Sequence, residues 1–240
     1  MRWFTALLAA LALAGAARAA DPVDLELVLL ADASRSIDDG EVMFQRQGYA
    51  AAITHPAVLA AIQSGMSGRI AVTYVEWGDV DSQEVAVPWT VIDGRDSAAA
   101  FAAKLLSVPR LASGPNAIGN AIAAAQALLE DNLQSGARRV IDFAGDSANS
   151  FGGMSVAEAR ARALAAGIVI NGLAILCRDC VSGRPVRYDL EAAFAQHIVG
   201  GPGAFVLTAD SRQSFAEAVL RKMLLEIAGT TPAPPLRSPG

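Results

Sequence analysis

The 240-residue chain is 53% hydrophobic, enough to bury a large core in one α/β domain, and this excludes general disorder. Its 19 Lys and Arg residues against 24 Asp and Glu give a net charge of −5, which argues against a nucleic-acid partner because such binding depends on neutralised phosphates. The two cysteines, Cys177 and Cys180, are too few for a four-cysteine zinc site.

The N-terminus has the three parts of a secretory signal peptide. Arg2 precedes the uncharged apolar run Trp3–Ala17, and Ala17-Arg18-Ala19 supplies small residues for cleavage. The apolar run is too short to span a membrane, and no later segment is long enough either. We therefore predict a signal peptide over residues 1–19 and an exported protein, periplasmic or secreted, with a mature net charge of −7.

Strands and helices are predicted to alternate along residues 20–229. Apolar and β-branched runs predict strands over residues 25–31, 69–78, 83–92, 138–145, 168–176 and 204–208. Helical periodicity predicts helices over residues 41–54, 58–62, 97–106, 117–129, 156–166, 189–199 and 211–228. This order predicts a mostly parallel sheet with helices on both faces.

Three other features of the chain refine this picture. The connection between the second and third strands is short, so this pair is predicted to be antiparallel. Pro88 cannot donate a ladder hydrogen bond, which places the third strand at the edge of the sheet. Residues 230–240 contain four prolines and no apolar period, and we predict a disordered tail there.

Three oxygen-bearing side chains alternate directly after the first strand: Asp32, Ser34 and Ser36. Open α/β sheets place their sites at the carboxyl ends of strands, and such oxygen ligands suit a hard cation such as Mg²⁺. In the alternative interpretation Ser34 and Ser36 cap the following helix, and Asp32 accepts backbone hydrogen bonds in the turn.

The Asp32-x-Ser34-x-Ser36 pattern after an apolar strand resembles the metal-ion-dependent adhesion site of von Willebrand factor type A domains. The resemblance extends over residues 25–228. Within that superfamily, residues 140–149 and 198–206 look like a group of exported bacterial proteins without assigned activity. The resemblance implies a doubly wound, six-stranded sheet with strand order 3-2-1-4-5-6, in which strand 3 is the antiparallel edge strand.

The resemblance also implies further ligands for a bound Mg²⁺ or Mn²⁺. Asp146, which closes the fourth strand, matches the family aspartate that holds the metal through water. Asn116 occupies the position of the family threonine, and Ser113 could reach the metal instead. An Asn carbonyl can ligate a hard cation, but Asn116 could equally cap the helix predicted from Ala117.

By the same resemblance, the domain binds a protein or peptide whose acidic residue completes the coordination of the metal. We expect the ligand-binding residues to include Arg35, Ser113, Ser147 and Asn149. A metal-free interaction scaffold is the main alternative, and an exported hydrolase or thiol oxidoreductase comes next. Catalysis is disfavoured because the chain has no G-x-S-x-G motif to place a serine beside His55 or His197.

Cys177 and Cys180 form a C-x-x-C pair in a chain predicted to be exported. A local disulfide is the favoured interpretation in that oxidising setting, and two reduced thiols without a role are the alternative. A redox function is disfavoured because a loop-like sequence follows the pair, whereas reactive thiols sit at a helix N-terminus.

Export and disulfide formation can be tested together on the protein recovered from outside the cytoplasm. Its intact mass should correspond to a chain that begins at Ala20 and is two hydrogens lighter than the dithiol form. Thiols that react readily without a reductant would contradict the disulfide.

Overall fold

The computed structural model describes residues 21–176 and 188–229. The strands are β1 (Asp21–Val23), β2 (Glu26–Asp32), β3 (Ile70–Trp77), β4 (Gln83–Ile92), β5 (Gln134–Gly136), β6 (Arg139–Gly145), β7 (Val169–Ile175) and β8 (Val206–Ala209). The helices are α1 (Asp39–Ile53), α2 (Pro56–Gln63), α3 (Arg95–Ser107), α4 (Ile118–Glu130), α5 (Val156–Ala165), α6 (Leu190–His197) and α7 (Arg212–Ala228). The predicted signal peptide, the pair Cys177 and Cys180, and the predicted tail lie outside the described residues.

Six strands form one sheet in the order β4-β3-β2-β6-β7-β8. Counted in chain order, this is the predicted order 3-2-1-4-5-6, and it is confirmed. Only the β3–β4 pair is antiparallel. Pro88 is exposed on the edge strand β4, where two residues oppose one of β3 in a bulge, so its missing N–H costs no ladder hydrogen bond.

A small second sheet was not predicted. It consists of β1 and β5, which pair in parallel from Asp21↔Gln134 to Val23↔Gly136. Both strands have three residues, and neither shows an alternating apolar pattern. Hydrogen bonds to remote residues hold this short pair, among them that of the Gly136 N–H to Glu26 Oε1 and that of the Ala137 N–H to the Val23 carbonyl.

The central strand β2 is buried along its whole length, because helices cover both faces of the sheet. Its residues Leu27 and Leu29 face one core, formed with α1, α2, α3 and α7. Val28 and Leu30 face the other core, formed with α4, α5 and α6. In the described part of the chain, no helix is long and apolar enough to cross a membrane.

A buried charged cluster joins α7 to β6. Lys222 Nζ lies 2.7 Å from Asp142 Oδ1 and 2.6 Å from Glu226 Oε1, and all three residues are almost fully buried. Tyr49 donates a hydrogen bond to Asp142, and Asn171 donates one to Glu226. Since one cation serves two carboxyl groups, burial and the negative charge of Asp142 raise the pKa of Glu226 to about 8.

This pKa predicts a pH-dependent stability. The folded chain holds the Glu226 proton more tightly than the unfolded chain does, so the stabilisation is complete below the unfolded pKa of about 4.5 and is lost as the pH rises through about 8. We expect Glu226→Gln to reduce the fall in the free energy of unfolding over this range. A single proton contributes at most about 1.4 kcal/mol per pH unit.

Urea unfolding at several pH values measures this effect. Glu217→Gln, an exposed change on the same helix, should leave the pH dependence of wild type unaltered. Equal pH dependence in wild type and Glu226→Gln would contradict the assignment of the proton to Glu226.

Candidate metal centre

Two carboxylates from distant parts of the chain meet at the carboxyl end of the sheet. Asp32 is the last residue of β2, and Asp146 directly follows β6, the parallel neighbour of β2. The backbone N–H of Asp146 donates to Asp32 Oδ2 at 3.4 Å. Asp32 is 1% exposed, so its charge has little access to water.

The two serine hydroxyls connect these carboxylates. Ser34 Oγ lies 3.2 Å from Ser36 Oγ, and Ser36 Oγ donates to Asp146 Oδ1 at 3.1 Å. The Ser34 N–H donates to Asp32 Oδ1 at 2.8 Å. The side-chain oxygens of Ser34, Ser36 and Asp146 are therefore joined directly, and those of Asp32 are joined to them through the backbone N–H groups of Ser34 and Asp146. We call these four side chains the oxygen cluster.

The helix that follows has its own cap. Asp38 is the N-cap of α1, and Asp38 and Glu41 form a complete capping box. The alternative in which Ser34 and Ser36 cap this helix is therefore wrong. Its other half is right, since Asp32 accepts backbone hydrogen bonds in the turn.

Burial and mutual repulsion weaken the ionisation of the two carboxyl groups. Burial, together with the charge of Asp146, raises the pKa of Asp32 to about 7. Burial also raises the pKa of Asp146. The pair thus carries negative charge that its surroundings do not compensate, and either a proton or a cation would neutralise it.

Asn116 lies in a loop that is hydrogen-bonded both to the turn of Ser34 and to the loop after β6, and it does not cap α4. The N-cap of α4 is Ala117, and the Ile118 N–H donates instead to Ser150 Oγ at 3.1 Å, so the capping prediction for Asn116 is wrong. Asn116 is 7% exposed, and within the described residues no hydrogen bond engages its side-chain amide. The backbone carbonyl of Asn116 accepts from the Phe151 N–H at 2.6 Å, and this hydrogen bond joins the loop of Asn116 to the loop after β6.

The loop of Asn116 also contacts the turn that contains Ser34. The Arg35 N–H donates to the Gly114 carbonyl at 2.8 Å, and the Arg35 side chain is exposed. Ser113 is held on the other side, because its N–H donates to Ser82 Oγ and its carbonyl accepts from the Asp79 N–H. The structure therefore brings Ser113 near the β3–β4 turn without a hydrogen bond to the oxygen cluster.

Ser147 and Asn149 lie in the loop that follows Asp146. Ser147 Oγ accepts from the Asn149 N–H at 3.1 Å and lies 3.4 Å from the hydroxyl of Tyr188. The Tyr188 hydroxyl also accepts from the Ala148 N–H at 2.9 Å. Asn149 is exposed, whereas Ser147 is engaged within the loop.

Arg110 was not identified from the sequence, although it joins the turn that contains Ser34 to the segment that leads to Asn116. Arg110 donates to the carbonyls of Ala33, Ser34 and Ala112, and forms an ion pair with Asp39 at 3.0 Å. The turn that contains Ser34 is thereby tied to the segment that leads to Asn116. A lone arginine between two prolines carries no sequence signal for this role.

A second buried arginine fixes the start of the same segment. Arg46 pairs with Glu76 at 2.5 Å, and both are 1% exposed. Arg46 also donates to the carbonyls of Val108 and Pro109, and Glu76 Oε2 accepts from the Leu111 N–H. Glu76, whose direction the strand pattern leaves open, therefore serves to anchor this loop.

The cluster differs from common metal sites built of charged or imidazole ligands. No group of three or more His, Cys, Asp or Glu side chains able to hold a metal occurs in the described parts of the chain. The oxygen cluster instead combines two carboxylates with two neutral hydroxyls. Such a donor set fits a hard cation that retains some of its water.

The role of Arg110 predicts a stability difference between two variants. Arg110→Gln leaves loop carbonyls without their donor, and we expect a loss of about 1–3 kcal/mol in the free energy of unfolding. Asp39→Asn removes only the ion pair with an 87% exposed carboxylate and should cost less than about 1 kcal/mol. Urea unfolding measures both, and equal losses would contradict the proposed difference.

Solved structures with the same fold include several adhesion and matrix proteins. The pilus adhesin SpaC from Lactobacillus rhamnosus GG, in its open conformation, superposes with a TM-score of 0.59 at 14% identity, over 86% of this chain and 30% of SpaC. The von Willebrand factor domain of the type V pili tip protein Mfa5 from Porphyromonas gingivalis gives 0.56 at 8% identity, over 88% of this chain and 98% of that one.

Proximal thread matrix protein 1 from the mussel byssus, with a zinc-occupied MIDAS motif, gives a TM-score of 0.59 at 16% identity, over 87% of this chain and 49% of its own. The chain thus spans about a third of SpaC and half of the mussel protein. At these identities the likeness shows the fold, that of a von Willebrand factor type A domain.

Sequence comparison assigns the chain to a family. No curated protein sequence matches it significantly. A family described as "Protein of unknown function (DUF1194)" matches residues 22–231, almost the whole predicted mature domain. The chain is therefore a member of the DUF1194 family.

Proposed function

We propose that this domain binds one Mg²⁺ or Mn²⁺ ion at Asp32, Ser34, Ser36 and Asp146, with Asn116 as a further ligand, and uses the ion to engage a protein or peptide. The observation that carries the proposal is the hydrogen-bonded oxygen cluster. It unites residues more than a hundred positions apart at the end of the two central strands.

The residues present fit a divalent cation. All the polar atoms of the oxygen cluster are oxygens, the atoms that hard cations prefer. Burial raises the pKa of both carboxyl groups, and the charge of Asp146 raises that of Asp32 further. A bound cation would compensate the negative charge of both carboxylates. Asn116 adds an amide that its helix does not use for capping.

The charges of these ligands favour an acidic partner. Two hydroxyls and an amide are neutral, and the resemblance implies that Asp146 holds the ion through water, so the direct ligands would leave part of the cation's charge uncompensated on the solvent side. The mature chain has a predicted net charge of −7 and would otherwise repel acidic segments. A carboxylate of the partner would therefore be a favourable final ligand of the ion.

Binding rather than catalysis is the function that the geometry supports. His55 is the N-cap of α2, and its Nδ1 accepts from the Ala57 N–H. His197 ends α6. Since α1 and α6 both start near the carboxyl end of the sheet, these histidines lie at the opposite end from the oxygen cluster. Neither can act on a substrate bound there.

The fold likeness adds support of a more general kind. Two of the similar structures are a pilus adhesin and a pilus tip protein, and a third is a matrix protein whose MIDAS motif holds zinc. These proteins are consistent with an exported, adhesion-type role for this domain. Export itself rests on the predicted signal peptide.

Metal binding should stabilise the folded protein. Thermal unfolding with Mg²⁺, Mn²⁺ or EDTA measures this, since free metal at a hundredfold excess over Kd adds about 2.7 kcal/mol. We expect metal to raise the melting temperature of wild type and to leave that of Ser34→Ala/Ser36→Ala unchanged.

A control variant shows whether the loss of the metal response is specific to the two serine ligands or follows from any serine-to-alanine change. Ser64→Ala changes an exposed serine at the opposite end of the sheet and should retain the full metal response. A wild-type melting temperature that is indifferent to metal would contradict the proposed site and favour a metal-free scaffold.

A further inference from the structure

Large apolar side chains are exposed around the oxygen cluster. Leu111 is 43% exposed, Phe151 59% and Tyr188 43%. We call these three residues the apolar rim. Single exposed apolar residues also occur far from the site, as at Leu133, but these three belong to segments that are hydrogen-bonded to the strand ends and loops of the candidate site.

The apolar rim flanks the oxygen cluster on two sides. Leu111 is bound through its N–H to Glu76, which pairs in register with Ala31 of β2 on the β3 side of Asp32. The hydroxyl of Tyr188 is bound to Ala148, in the loop that follows β6. The backbone of Leu111 and the hydroxyl of Tyr188 are therefore held on opposite sides of the strand ends that carry Asp32 and Asp146.

Phe151 completes the rim beside Asn116. The Phe151 N–H donates to the backbone carbonyl of Asn116 at 2.6 Å. Gly152 and Gly153 follow with φ of 76° and 67°, a left-handed backbone conformation that residues with a side chain rarely adopt. A Cβ on Gly153 would lie 2.0 Å from Asn120 Oδ1, so the close approach also requires glycine.

Leu111 and Phe151 are held through their backbone N–H groups and Tyr188 through its hydroxyl, while part of each apolar side chain is exposed to solvent. Because the backbone at these positions is already ordered, a partner that covers the rim does not have to order these loops. Aromatic side chains in such positions commonly supply much of the binding energy in interfaces. The rim is therefore suited to recognition rather than to packing within this domain.

We propose that the apolar rim selects the partner: the segment bound at the metal carries an apolar side chain on each side of its acidic residue. This inference rests on the proposed function, because the acidic residue is the one that completes the metal coordination. The metal then supplies charge selectivity, and Leu111, Phe151 and Tyr188 supply selectivity for sequence.

Three synthetic peptides in a Gly-Ser background test this inference. The first carries Leu, Asp and Phe in this order, with one background residue between Leu and Asp and one between Asp and Phe. The second replaces Leu and Phe by Ser, and the third replaces Asp by Asn. Fluorescence anisotropy with Mg²⁺ or EDTA gives Kd for each peptide.

We expect the first peptide to bind about tenfold more tightly than the second, because burial of one large apolar side chain suffices for that difference. Phe151→Ser should remove most of this preference. Leu133→Ser, which changes an 84% exposed leucine before β5 at the opposite end of the sheet, should retain it.

The two proposals fail in different ways. Equal, Mg²⁺-dependent binding of the first two peptides would overturn the inference about the rim and leave the metal site intact. Equal binding of the first and third peptides in Mg²⁺ and in EDTA would overturn the proposed function. Absence of binding by the first peptide would overturn the inference about the rim.

Discussion

Parallel pairing of β2 with β6 brings two carboxylates into the same poorly hydrated space. The structure around them depends on what compensates their negative charge. Asp32 ends one strand and Asp146 directly follows the other, so the central sheet brings both to its carboxyl end. Backbone N–H groups and serine hydroxyls solvate the pair only in part, which is why the pKa of Asp32 rises to about 7. A hard cation would convert this electrostatic cost into a binding site.

Two arginines hold the loops around the carboxylates in place. Arg110 joins the turn of Ser34 to the segment that leads to Asn116, and the buried pair of Arg46 and Glu76 fixes the start of that segment. A buried ion pair is weak evidence for stability, because desolvation offsets much of its attraction. Positioning of the site explains it better, since the donors point at loop carbonyls rather than at the core.

Most of the fold could be predicted because buried strands have a simple sequence signature. Apolar runs such as Leu27–Ala31 identify the main strands, and the family resemblance supplied their order. The short strands β1 and β5 have no such run. The site was predictable where the chain is continuous, at Asp32, Ser34 and Ser36. The family resemblance supplied the remote partner Asp146. Remote partners outside that motif were not predictable: the first N–H of α4 donates to Ser150 rather than to Asn116, and Glu76 and Asp142 pair with cations on α1 and α7.

The central claim is that the oxygen cluster holds a divalent cation. Electron paramagnetic resonance of Mn²⁺ tests it most directly, because the free ion gives a strong six-line signal that is lost on binding. Titration of the mature domain should remove one equivalent of this signal, and Asp32→Ala should remove none. Retention of the full signal with wild type, or identical titrations of wild type and Asp32→Ala, would contradict the account.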